Sequence, residues 1–291
     1  MIYFHDHQLA LGFIIQCASS ISFTFADIID SGCYAGGITF GPTRSTRKTE
    51  FQPSDLDDAI ALANDFPVVV ALIMPRASSL CRQSQSLARS GIDLDREREL
   101  VVDRLNTDLE FAAKFGGMLV VDPGTHVQYE RGIRVILQTI EDLHFQRGTR
   151  LLIRNALRRK HGLCTTFKQL GNTLRSIHPT NRPFVGVALD LAAVFANGDS
   201  RLDSADSVMH MFDQFEAAIG RNACCVLLLH DTLTNFNSAK TDPTCLCQGN
   251  IWRNCDTLDP LYAILTFAIA RDLPILTHCE LDVYFIETML G

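Results

Sequence analysis

Residues 116–128 read GGMLVVDPGTHVQ: the apolar run Met118–Val121 stops at Asp122, and Pro123-Gly124 turn the chain towards His126. A short apolar run that ends on a polar residue and a Pro-Gly turn has the pattern of a buried strand delivering a side chain at its end. On either side lie stretches of helical spacing, ERELVVDRLNTDLEFAAKFG at 97–116 and YERGIRVILQTIEDL at 129–143. Helix, buried strand, helix is the repeating unit of a parallel sheet, whose crossover connections cover both faces.

The same alternation extends to both ends of the chain. Strand runs are predicted at Leu11–Gln16, Tyr34–Phe40, Pro67–Ile73, Gly117–Val121, Arg150–Arg154, Phe184–Asp190, Cys224–Leu229 and Pro274–Thr277. Between them, helical spacing is found near 27–30 and at 55–65, 97–116, 129–143, 166–177, 204–220 and 259–272. Ser54 and Ser204 stand where N-caps belong, Asp259-Pro260 suit a first turn, and Gly116 and Gly220 suit helix ends. Eight such units in 291 residues favour one closed (β/α)8 barrel, an α/β domain spanning residues 1–291, over an open doubly wound sheet. No glycine-rich phosphate loop follows the first strand, which counts against a nucleotide-binding sheet. Longer loops are expected at 41–53, 74–95, 178–183 and 232–257. All but the third follow a strand, the end at which barrel enzymes carry their chemistry.

Composition narrows the function classes. The chain is 47% hydrophobic and 20% charged with a net charge of −7, so no global positive field advertises nucleic acid or an anionic membrane. Its sequence pI is about 5.7 and its mean hydropathy +0.10, values of a chain able to bury a sizeable core. The apolar stretch Leu9–Ala18 is too short to span a bilayer and reads as a core strand. Ten scattered cysteines, many inside apolar runs, suit reduced, buried thiols in an intracellular compartment such as cytoplasm, nucleus or virion.

In a closed barrel the first residues after each strand face a common mouth. They are Arg44, Met74–Arg76, Asp122, Arg154, Asp190, His230-Asp231 and Thr277-His278. Asp122, Asp190, His230 and Asp231 are the catalytic candidates; the same residues equally suit helix caps or partners for Arg154. His230 and Asp231 are adjacent on a strand end, where neighbours usually point opposite ways.

Several of these segments resemble the endonuclease IV family of metal-dependent AP endonucleases. VALDLAAVFANGDSR at 187–201 is similar to that family's D-T-C-H-A-F-A-A-G segment, LLLHDT at 227–232 to its H-L-N-D-S, and LVVDPGTH at 119–126 to its V-x-H-P-G-S. VVDRLNTDLEFAAKFG at 101–116 resembles the preceding helix, and FGPTRS at 40–45 a loop that carries an arginine to DNA. The resemblance implies a TIM barrel of the xylose-isomerase-like type and, in the family, three zinc ions held by five histidines and four acids. Position by position it implies loss here. Val70, Asp122, Ala193, Leu228 and Thr244 stand at the family's histidines, Arg154 and Thr277 at glutamates, and Asp190 and Asp242 at retained acids. Ile73 replaces a tyrosine that the family holds near DNA.

Valine, alanine and leucine offer a cation no lone pair, and a guanidinium repels one. Asp190 and Asp242 are therefore read as vestigial acids with no metal expected, and Arg154 as the bridge between Asp122 and Asp190. The expected function is a catalytically inactive endonuclease IV-like barrel with a structural or interaction role, binding protein partners in a viral or other large assembly. One alternative is a divergent AP endonuclease with a rebuilt site of Asp122, Asp190, Asp231, Asp242 and His230 and a single Mg or Mn, for which oxygen ligands suffice. The other is a metal-free DNA-binding module that contacts phosphate through Arg44, Arg47, Lys48, Arg158, Arg159 and Lys160. No membrane contact is expected. Cys245-x-Cys247 with Cys255 nearby does not have zinc-ribbon spacing, and packed loop thiols are the preferred reading.

Overall fold

The computed structural model describes residues 3–4, 7–17, 19–40, 51–66, 68–74, 78–82, 94–253, 255 and 257–290. Eight parallel strands form the barrel: β1 Leu11–Cys17, β2 Ala35–Phe40, β3 Val69–Ile73, β4 Met118–Val121, β5 Arg150–Arg154, β6 Val185–Asp190, β7 Cys224–Leu229 and β8 Ile275–Thr277. Each pairs with the next, and β8 closes on β1 through Ile275↔Leu11, Leu276↔Gly12 and Thr277↔Phe13. The closed barrel expected from eight apolar runs is the one observed.

Helices described on the outside are α1 Ile21–Asp30, α2 Pro53–Asp65, α3 Leu94–Ala113, α4 Tyr129–Glu141, α5 Phe167–Ser176, α6 Leu191–Asn197, α7 Ala205–Ile219, α8 Asp259–Ile269 and α9 Glu280–Leu290. Three differ from the sequence expectation. Only the last turn of α1 shows helical spacing, because its start, ISFTF, is β-branched and aromatic. The sequence pattern also hides α6, which is buried on every side, and α9. Ser54 is not the cap of α2. Pro53 takes the first helical position, where its fixed φ is preorganised, so Gln52 becomes the cap and Ser54 lies inside. Ser204 does cap α7, in a reciprocal arrangement with Ser207.

Alternation along the strands makes two apolar layers. Inside the barrel, Ile14, Ala71, Ile73, Val120, Leu152, Ala188, Val226, Leu228 and Leu276 pack together. Outside it, Val70, Leu72, Leu119, Val121, Val187, Leu189, Leu227 and Leu229 meet Phe25, Leu105, Ile136 and Phe215 of the helices. At Gly12 the strands approach so closely that a Cβ would lie 1.6 Å from the Ala35 carbonyl oxygen, which excludes any larger residue there.

Asp55, in the first turn of α2, ties that helix to the start of α1. Its carboxylate accepts hydrogen bonds from Ser20 Oγ at 2.6 Å and the Ile21 amide at 2.8 Å. The Ser22 amide at 3.1 Å and Ser22 Oγ at 2.5 Å complete the set. These are the amides a helix N-terminus leaves unpaired. Burial works against the charge, but the serine hydroxyls and the two amides outweigh it and hold Asp55 at about 2, against an ordinary 3.8. A lowered folded-state value stabilises the fold above 3.8, and this contribution is lost as pH falls towards about 2. Asp55→Asn is expected to weaken the pH dependence of the denaturant midpoint over that range; an unchanged dependence would contradict this clamp.

Candidate functional site

The inward series of four strands continue past the core. Met118 and Val120 lead to Asp122, Leu152 to Arg154, Ala188 to Asp190, and Val226 and Leu228 to His230, all at the C-terminal mouth. Asp122, Arg154 and Asp190 line one cavity there of about 290 Å³, together with Ser79, Asn155 and Arg159. The DPGTH turn organises its walls. Leu80 and Cys81 donate their amides to the carbonyls of Asp122 and Pro123, each at 3.0 Å, and Leu163 donates to Gly124 at 3.1 Å. Gly124 makes this possible: its φ is +96°, and a Cβ would stand 1.8 Å from the Cys81 carbonyl oxygen.

Arg154 Nε donates to Asp122 Oδ1 at 2.8 Å, with both side chains 17% exposed. Burial opposes the guanidinium charge, but the charge and hydrogen bond of Asp122, with the field of Asp190, hold its pKa above the ordinary value. Asp190 is placed differently from the bridge expected in the sequence. Its Oδ1 accepts the Ala193 amide at 3.0 Å as the N-cap of α6, and lies 3.6 Å from His230 Nε2. β6 runs directly into α6, so the strand-end carboxylate meets the unpaired amides of a helix start. Arg154 thus hydrogen-bonds Asp122 and reaches Asp190 through its field. Asn155 fastens the two strands behind them, donating to the Asp190 carbonyl at 3.0 Å and accepting its amide at 2.7 Å. Nothing in the sequence pattern marks Asn155 beyond its place directly after a buried strand.

His230 is 6% exposed. Burial pushes its pKa down, Asp190 opposes, and His278 and Arg154 push down further. The imidazole is accordingly neutral at neutral pH, and its contact with Asp190 is not an ion pair. His278 is exposed, its ring centre 6.4 Å from that of His230.

Asp231 does not join this group. It continues the outward series of β7, and its oxygens accept four amides, Thr232 at 2.7 Å and Ile251 at 2.9 Å on Oδ1, Gly249 at 3.1 Å and Trp252 at 3.4 Å on Oδ2. Its role is to fold the loop after β7. Asp242 is exposed on that loop, where its backbone pairs with Leu233 and Thr232, and it does not line the mouth cavity. Val70 packs outward, away from the mouth, whereas Ala193 lines the cavity and Leu228 lies in the interior layer. Among the basic residues, Arg158 pairs with Asp199 at 2.6 Å, Arg159 lines the cavity and Lys160 is exposed. Arg44, Arg47 and Lys48 lie outside the described residues.

A closed eight-stranded parallel barrel with its polar groups gathered at the C-terminal mouth is a TIM-barrel protein. Residues 25–257 match the family described as xylose isomerase-like TIM barrel, and the chain belongs to that family. It is 25% identical to the probable endonuclease 4 of Clostridium beijerinckii, over 95% of this chain and 96% of that one. To the probable endonuclease 4 of Akkermansia muciniphila it is 24% identical, over 84% of this chain and 81% of that one. The crystal structure of endonuclease IV from Thermus thermophilus superposes with a TM-score of 0.76, covering 97% of this chain and all of that one at 19% identity, a likeness of fold. Among the described residues no helix is long and apolar enough to cross a membrane.

The ion pair at the mouth gives a direct test. Arg154→Leu leaves the Asp122 carboxylate without its hydrogen-bonded counter-charge and is expected to cost on the order of 1–3 kcal/mol of stability. Combining it with Asp122→Leu should cost less than the sum of the two single changes; strictly additive costs in denaturant unfolding would refute the coupling.

Proposed function

We propose that this endonuclease IV-like barrel does not carry out metal-dependent phosphodiester hydrolysis and serves as a structural or interaction protein, with protein partners in a larger assembly. The observation that carries this reading is the guanidinium of Arg154, held by Asp122 in the cavity that Asp190 shares. A fixed positive charge among the mouth carboxylates takes the place of a cation and repels any other.

The zinc cluster implied by the family resemblance does not fit the donor set present. Ala193 and Leu228 have no lone pair to give, and Val70 faces the helices. Asp231 already satisfies four amides, and Asp242 stands on an exposed loop. Asp122 and Asp190 remain, and several divalent cations brought close together need more anionic ligands than two. Without a metal-activated water, His230 is a poorly placed general base, since it lies 3.6 Å from Asp190 Oδ1 but is not among the residues lining the cavity.

The names of the two curated relatives favour the second reading, an AP endonuclease with a rebuilt site holding one Mg²⁺ or Mn²⁺ on Asp122 and Asp190. Against it stands the same arginine. A DNA-binding role has Arg159 and Lys160 in its favour, while Arg158 is already neutralised by Asp199. Buried thiols at Cys17, Cys33, Cys81, Cys164, Cys224 and Cys225 support a reducing compartment.

Incubation of the purified chain with an abasic-site duplex in zinc, magnesium or manganese is expected to give no cleavage above the protein-free background. Cleavage that Asp190→Ala abolishes would overturn the proposal in favour of the rebuilt nuclease. Salt-dependent duplex binding without cleavage, weakened by Arg159→Ala with Lys160→Ala, would favour the DNA-binding module.

A further inference from the structure

Away from the mouth cavity, the loop after β7 meets the start of α9 at a group of three metal-ligating side chains, Cys245, Cys279 and Asp282. Their donor atoms all lie within 4.8 Å of one another. Cys245 follows the two-residue strand Pro243–Thr244, which pairs with Asp231–Thr232; Cys279 sits in the turn between β8 and α9; Asp282 lies in the first turn of α9. None of the three lines the mouth cavity. Nor does any of them stand at a position that the endonuclease IV resemblance assigns to a zinc ligand: Thr244 and Thr277 hold those places.

The three side chains crowd one another. The two sulfurs approach to 2.8 Å, so neither thiol has solvent between it and the other. Asp282 is 2% exposed; its Oδ1 accepts the Leu246 amide at 2.7 Å, while its Oδ2 is buried with no hydrogen bond of ordinary geometry among the described residues, the Cys279 thiol and the Cys279 and His278 amides lying close to the carboxylate. A buried carboxylate oxygen left in this way is costly. Burial raises the Asp282 pKa against the opposing hydrogen bonds of the Leu246 amide, the Cys279 thiol and the Cys279 and His278 amides. Burial and the Cys245 sulfur push Cys279 up to about 12, so its proton must be displaced before its sulfur can act as a thiolate ligand.

We propose that Cys245, Cys279 and Asp282 form a binding site for one thiophilic divalent cation of the Zn²⁺ class, which joins the loop after β7 to α9. Two thiolates and a carboxylate at zinc bond lengths of about 2.0–2.3 Å place the sulfurs roughly 3.8 Å apart and each sulfur roughly 3.5 Å from the oxygen, so the sulfurs, now 2.8 Å apart, separate by about 1 Å on binding. Binding releases the two thiol protons and leaves three anionic ligands around a dipositive ion, with a fourth position open on the side where both cysteines are partly exposed. The soft sulfur pair selects zinc over magnesium and calcium, which take oxygen ligands. A Cys245–Cys279 disulfide is the competing outcome. It would occupy both sulfurs but leave Asp282 Oδ2 buried without a counter-charge, whereas the cation answers all three groups. The site is independent of the reading of the mouth.

The test uses the full chain, reduced and stripped of metal, titrated with Co²⁺ and then Zn²⁺. One equivalent of Co²⁺ is expected to give a thiolate-to-cobalt charge-transfer band that Zn²⁺ removes. Bound zinc should protect Cys245 and Cys279 from alkylation, as mapped on peptides of the unaltered chain, and a chelator should restore both. Cys245→Ser and Cys279→Ser should each weaken zinc binding by more than about 100-fold, exceeding the loss seen on removing an outer-sphere partner. Cys247→Ser should leave it unchanged, and Asp282→Asn should weaken binding while keeping the charge-transfer band. The proposal is overturned by the absence of that band in the reduced chain, by a band indifferent to both serine variants, or by alkylation of Cys245 and Cys279 that zinc does not slow. Peptide mapping makes the test independent of whether a variant folds.

Discussion

Pairing of β8 with β1 is the constraint on which the rest depends. Leu276 beside Gly12 and Thr277 beside Phe13 join the two ends of the chain and turn an alternating series of strands into a closed wall. Closure decides which side of every strand is inside. It removes both sheet edges, so all eight strands are covered and can be apolar almost throughout. It also commits each strand's two-residue alternation, because a slip of one residue would exchange the interior layer for the helix-facing one. Gly12 is the local condition for this join, since the backbone of β2 occupies the space of a side chain there.

The same alternation builds the mouth. Once Leu152 and Ala188 are inside, Arg154 and Asp190 must face inward two residues later, at the level where the interior packing ends and water begins. Charges gathered in so small a space are stable only when paired or hydrogen-bonded. The structure meets this condition three ways: an ion pair for Asp122 and Arg154, a helix N-terminus for Asp190, and a neutral ring for His230. Asp231 is one residue out of step with His230 and consequently belongs to a different system, the loop whose amides it collects. Two adjacent polar residues at one strand end thus serve separate purposes.

Much of this was legible in the sequence, and the parts that were not have physical reasons. The strands could be read because burial on both faces makes them continuous apolar runs, and Arg150–Arg154 and Cys224–Leu229 have the expected bounds. Helix α4, with its single apolar stripe, was equally plain, whereas α6 was not, because a helix buried all round has no polar face to set its period. The inward placement of Asp122, Arg154, Asp190 and His230 followed from strand ends in a closed barrel. Their partners did not: whether Asp190 meets Arg154 or the amide of Ala193 depends on how abruptly β6 becomes α6.

The sequence by itself determined the barrel and the identity of the residues at its mouth, because periodicity and residue chemistry are local properties. It also determined that Arg154 brings a permanent charge to that mouth, since no environment deprotonates a guanidinium. Only the tertiary structure decided which groups meet. Asp55 reaches the amides of α1 across 34 residues of chain, Asp231 gathers amides 18 to 21 residues away, and Cys245 meets Cys279 and the carboxylate of Asp282. Contacts of that kind are set by where closure brings the loops, and chain separation carries no record of it.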